Sequence, residues 1–90
     1  MPKVIIPPPY RGVTEGLVEV PVPGDTVRAC LEAVIARFAS FGELVLAPDG
    51  SLQAFVNVFV NGDKLPKDRA LEARVSAEDT VEVISAIAGG

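Results

Sequence analysis

Histidine and tryptophan are absent from this 90-residue chain, and cysteine, methionine and tyrosine occur once each. Without histidine no imidazole is available to activate a serine or cysteine nucleophile, and no Cys/His spacing of a metal site is present. Cys30 has no second cysteine to pair with, so an internal disulfide is excluded. Acidic residues outnumber basic ones, 12 to 8, for a formal net charge of −4. That balance is the reverse of the basic footprint that neutralises nucleic-acid phosphates, and it favours an electropositive protein partner. No apolar run approaches the roughly 20 residues needed to span a bilayer. The start Met-Pro-Lys-Val-Ile-Ile-Pro-Pro-Pro lacks the apolar stretch and cleavage site of a secretory signal. A phosphate-binding glycine loop is also missing. The expectation is a cytoplasmic protein that engages neither nucleic acid nor membrane, binds no cofactor and is not itself an enzyme.

What is present is a small aliphatic core, with hydrophobic residues at 49% and only four phenylalanines, enough for one domain and no more. Lys3–Ile6 is a β-branched run stopped by Pro7-Pro8-Pro9, which predicts a strand followed by an extended loop through Tyr10-Arg11-Gly12. Leu17–Val22 alternates and predicts a second strand, with Pro21 suited to a sheet edge. Gly24-Asp25-Thr26 offers caps for a helix whose face carries Val27, Leu31, Val34, Ile35 and Phe38, ending near Ser40-Phe41-Gly42. Cys30 borders that stripe and reads as a small buried apolar residue.

Glu43–Ala47 is ambiguous between helical turn and loop, and Pro48–Ser51 is a turn. Leu52–Val60 predicts a long strand with Leu52, Ala54, Val56, Val58 and Val60 toward the helix and Gln53, Phe55, Asn57 and Phe59 outward. Asn61-Gly62 is a hairpin signal leading into a short strand near Lys64-Leu65. Asp68–Val75 reads as an irregular crossing anchored by Leu71 and Val75, before a last strand over Thr80–Ile84. This order places one helix between two hairpin-like halves, an α+β β-grasp with parallel first and last strands at the centre of a mixed sheet. Residues 1–84 form the domain and residues 85–90 a flexible tail.

Four stretches carry a resemblance: Gly24-Asp25-Thr26-Val27, Phe55–Asn61, Glu78-Asp79-Thr80-Val81, and the ending Ala86-Ile87-Ala88-Gly89-Gly90. In that register the chain resembles the ubiquitin-like sulfur carriers of the MoaD/ThiS family, and its central strand and ending look most like the CysO members. A serine, Ser85, stands where many members have proline after the last strand. The resemblance implies that Gly90 is adenylated by a ubiquitin-activating-type enzyme using ATP and converted to a thiocarboxylate. The sulfur would then pass to a synthase, either a cysteine synthase-like enzyme or the large subunit of molybdopterin synthase. Three readings stay open: a sulfur carrier in cysteine or cofactor biosynthesis, including the molybdopterin synthase small subunit; a ubiquitin-like modifier conjugated through Gly90; and a binding module without terminal chemistry.

On physical grounds Gly90 and Gly89, with Ala88 before them, make a tail thin enough to thread a narrow channel. Six extended residues from Ser85 would reach roughly 20 Å past the sheet. Phe55, Phe59 and Ile84 are expected on the outward sheet face as a partner-docking patch, with Ile87 adding to it from the tail.

Overall fold

The structure, a computed structural model, describes residues 1–85. Thr26 sets the start of the main helix. Its backbone is extended and its hydroxyl accepts a hydrogen bond from the Ala29 N–H at 3.1 Å, satisfying an amide that the first turn leaves unpaired. Gly24 is required just before it: at φ +145°, a Cβ would stand 3.1 Å from both Ala29 Cβ and the Cys30 amide nitrogen. Helix α1 then runs Val27–Arg37 and buries Val27, Cys30, Leu31 and Val34. Burial, with a smaller contribution from Asp25, raises the Cys30 thiol pKa above its ordinary value, which suits a core residue and not a nucleophile.

The helical stretch does not end near Gly42. Phe38 breaks the regular backbone at φ −135° and ψ 85°, and the chain resumes as α2, Ala39–Val45. Gly42 lies inside α2, where a Cβ would be 3.1 Å from Ile35 Cγ2. It is therefore a close-packing residue between the two helices and not a terminator. Phe41 and Val45, both fully buried, supply the apolar face that turns an ambiguous segment helical through tertiary packing.

The proline segment also departs from an extended loop. Pro8–Thr14 form a 3-10 helix, because proline's fixed φ suits a first helical turn whose N–H groups need no partner. That turn brings Tyr10 edge-on to Phe41, with ring centroids 6.4 Å apart at 78°.

The sheet contains β1 (Lys3–Ile5), β2 (Glu19–Pro21), β3 (Val56–Val60), β4 (Asp63–Lys64) and β5 (Thr80–Ser85), in the order β2-β1-β5-β3-β4. As the chain order predicts, β1 and β5 run parallel, with Lys3 opposite Thr80, Val4 opposite Val81 and Ile5 opposite Glu82. Their remaining neighbours are antiparallel. Pro21 lies on the edge strand β2. The inward rows, Val4, Val20, Val56, Val58, Val81 and Val83, meet α1 across one core, giving the β-grasp expected from the sequence. Leu71 and Val75 anchor the crossing between β4 and β5, which contains a short 3-10 turn, Ala70–Glu72.

The long strand expected from Leu52 is shorter. Leu52 makes an isolated bridge with Leu46, the Val56 N–H closes a turn onto the Gln53 carbonyl at 3.0 Å, and only Val56–Val60 is strand. Ala54 is exposed and Phe55 stands in the turn. Alternation over Leu52–Phe55 thus came from a turn that buries Leu52 on one side, a pattern that imitates a strand's period of two.

The turn after β3 is tied to the start of β5. The Asn61 Oδ1 accepts from the Thr80 N–H at 2.9 Å, and its amide donates to the Asp79 carboxylate at 2.9 Å. Asp79 also accepts from the Ser76 N–H at 2.8 Å. These bonds, led by the Ser76 amide and then the Asn61 side chain, hold the Asp79 pKa below its ordinary value. No helix among the described residues is long and apolar enough to cross a membrane.

Two outcomes follow from this packing. Phe41→Ala should cost about 3–5 kcal/mol of unfolding free energy, read as a fall in the urea midpoint. Asp79 is depressed in the folded state, so its contribution is fully present above the unfolded value of about 3.9 and is lost as pH falls through the folded one. Urea midpoints measured against pH should therefore show a steeper acid loss for the native chain than for Asp79→Asn.

Candidate functional site

The central strand β5 closes the described residues at Ser85. Between β1 and β3 it carries Val81 and Val83 inward, both fully buried, while Glu82 and Ile84 face out. Ile84 is 37% exposed, one of the few large apolar side chains so open to water. The antiparallel register sets Asn57 opposite Ile84 and Phe59 opposite Glu82, so Phe59 and Ile84 share the outer face as diagonal neighbours. At that spacing an aromatic side chain can reach its neighbour. Ile5, paired with Glu82 from the parallel side, extends the same face.

Phe55 does not join them as expected. It lies in the turn before β3 and is half-buried against the core. The outward apolar patch of the described residues is therefore centred on Phe59, Ile84 and Ile5. Ile87, Ala88, Gly89 and Gly90, also expected to belong to the site, lie outside the described residues.

Beside the exit of β5 is a cleft of about 410 Å³ lined by Ile5, Pro8, Arg11, Glu82, Ile84 and Ser85, with neighbouring residues. The Arg11 Nε donates to the Ile6 carbonyl at 3.0 Å, which ties the guanidinium to the cleft wall. Glu82 supplies the opposite charge. Pro7, Pro8 and Pro9 have no N–H, so this wall offers no backbone donors for another strand to pair with. The sequence signal was the proline run itself, read as a loop. Its role as a wall appears only once the 3-10 turn and β5 are placed together.

On the other side of the exit stands Lys67. Its Nζ donates to three carbonyls, Gln53 at 2.8 Å, Ala54 at 2.7 Å and Val56 at 2.7 Å. The ammonium thus spends all three N–H groups on the turn that precedes β3. Nothing in the local sequence distinguishes Lys67 from the solvated charges around it.

The sequence and the fold as a whole have parallels in known proteins. The sulfur carrier protein CysO of Mycobacterium tuberculosis is 32% identical over 89 residues, covering 97% of this chain and 96% of that protein. A chain of the crystal structure of the Amycolatopsis orientalis BexX/CysO complex superposes with a TM-score of 0.90 at 32% identity, covering both chains fully. The small archaeal modifier protein 1 of Haloferax volcanii superposes with a TM-score of 0.78 at 25% identity, covering 99% of this chain and 98% of that one. Residues 4–90 match the ThiS family, terminal diglycine included, and the chain belongs to that family.

Proposed function

We propose that this chain is a sulfur carrier whose reactive atom is the carboxyl carbon of Gly90. The observation that carries the reading is the family match through residue 90, joined to a central strand whose described end, Ser85, lies five residues before the diglycine terminus. A carboxylate is a poor acylating group, so activation falls to a partner enzyme. The Gly90 carboxylate attacks the α-phosphorus of ATP and expels pyrophosphate, giving an acyl adenylate. A hydrosulfide-equivalent nucleophile then adds to that carbonyl, AMP leaves with the former carboxylate oxygen, and a thiocarboxylate remains. Glycine at both last positions keeps the attacked carbonyl uncrowded. The carrier supplies no acid or base.

Docking belongs to the outer face. Phe59, Ile84 and Ile5 offer an apolar centre with Glu82 at its side, the composition of an interface core with a polar rim. The ubiquitin-activating-type adenylating enzyme and the sulfur-accepting synthase would use this face in turn, both entered by the thin segment Ala88-Gly89-Gly90. Likeness to CysO over nearly the whole chain supports cysteine biosynthesis in the cytoplasm as the destination of the sulfur over molybdopterin. Likeness to an archaeal modifier protein favours, as a second reading, conjugation of the same activated Gly90 to a lysine amine.

Intact mass of the chain recovered from its native host separates these outcomes. A gain of about 16 Da, one oxygen replaced by sulfur, marks the thiocarboxylate, whereas ladders of conjugates would favour the modifier reading. A Gly90 deletion that kept full sulfur transfer would sink both. Phe59→Asp should lower kcat/KM of adenylation at least about tenfold with the urea midpoint little changed; unaltered kinetics would remove Phe59 from the docking face.

A further inference from the structure

Glu82 stands among the apolar groups of the outer sheet face. The register sets Ile5 opposite it on β1 and Phe59 opposite it on β3, and Ile84 follows two residues later on the same face of β5. Unlike a rim charge left in solvent, Glu82 is half-buried before anything docks. Its carboxylate makes no ion pair or side-chain hydrogen bond among the described residues.

The cations of the chain itself do not neutralise it. Lys3, two residues before Ile5 on the same face of β1, pairs with Glu19 at 3.6 Å. Arg11 lines the same cleft as Glu82, but its Nε is held by the Ile6 carbonyl at 3.0 Å and no ion pair joins the two. Lys64 lies opposite Phe59, one strand further from Glu82. With 12 acidic residues against 8 basic ones, the chain has no surplus of cations to turn toward this carboxylate.

A partner that covers Ile5, Phe59 and Ile84 must cover Glu82 as well, because the carboxylate lies between them. A charge buried without a counter-charge is among the costliest defects an interface can hold, so the partner has to bring a cation. Arginine suits the place better than lysine: its fork reaches both carboxylate oxygens, it is more weakly hydrated, and its flat face stacks on an aromatic ring such as Phe59. We propose that Glu82 is a partner-specificity residue, and that the adenylating enzyme docking on this face presents an arginine that forks onto the Glu82 carboxylate beside the Phe59 ring. This inference rests on the carrier reading and on the outer face as its docking surface. The same carboxylate rejects acidic or wholly apolar partner surfaces, and it touches no reacting atom.

Steady-state adenylation by the native host's adenylating enzyme, followed as ATP–pyrophosphate exchange with the full-length carrier varied, tests this through the sign of one substitution. Glu82→Leu enlarges the apolar patch. Against an apolar partner surface it would lower KM; against an arginine it strands the enzyme's charge, so KM for the carrier should rise at least about tenfold with kcat little changed. Glu82→Gln, of nearly the same shape, should also raise KM and should flatten the fall of kcat/KM with added salt that the native chain shows. Glu82→Arg should be impaired further, and among single arginine-to-glutamate replacements on the enzyme's carrier-binding surface one should recover it.

An unchanged or lowered KM in Glu82→Leu would overturn the proposal, as would an unaltered salt dependence in Glu82→Gln or the lack of any enzyme variant that recovers Glu82→Arg. Urea midpoints of the variants, expected close to native, separate a docking defect from a folding one; should Glu82→Leu not fold, Glu82→Gln decides. Failure of the underlying readings looks different. Unaltered kinetics in Phe59→Asp would remove the docking face, and a native chain that supports no pyrophosphate exchange and bears no thiocarboxylate would remove the carrier reading, each taking this proposal with it. A raised KM for Phe59→Asp without one for Glu82→Leu would remove this proposal alone.

Discussion

Three residue pairs at the middle of the sheet, Lys3 with Thr80, Val4 with Val81 and Ile5 with Glu82, join the beginning of the chain to its end in parallel. A parallel pair cannot be closed by a tight turn, so the intervening chain must travel across the sheet and back. α1 makes the first part of that journey and packs its Val27, Leu31 and Val34 on the inner face. β3 and the irregular crossing before β5 make the second. The same pairing gives β5 neighbours on both sides, and from that follow the outward placement of Ile84 and the cleft beside Arg11.

Much of this arrangement was written locally. Thr26 with Gly24 marks the helix start, Pro21 marks an edge, and Asn61-Gly62 marks a hairpin whose asparagine also closes onto Asp79 and Thr80. Those side chains act within one element or across one turn, and residue type is enough to reveal them. Parallel central strands followed from counting elements. The outer sheet face was half readable, because alternation placed Phe59 and Ile84 outward, while Phe55 obeyed the alternation in sequence and left it in space.

The features that escaped depend on contacts between distant segments. α2 exists because Phe41 and Val45 find the core and Gly42 lets Ile35 approach, none of which shows in the propensity of Ala39–Val45. The 3-10 turn over Pro8–Thr14 is stabilised by Tyr10 packing on Phe41. The turn before β3 is held by an ammonium from a later loop, and an exposed lysine among Lys64, Asp68 and Arg69 carries no sequence mark of that contact. In each case a side chain far along the chain decides the backbone conformation of a segment whose own residues permit two.

The central position of β5 has a mechanical consequence. A protein whose end is drawn into another protein's channel experiences a pull along that end. Because β5 lies between β1 and β3, tension applied along its axis would load both ladders in shear, and their hydrogen bonds would share the force. Peeling would break them one after another; sliding requires them to fail together. The domain can therefore stay folded under a pull along β5, because that strand is held from both sides.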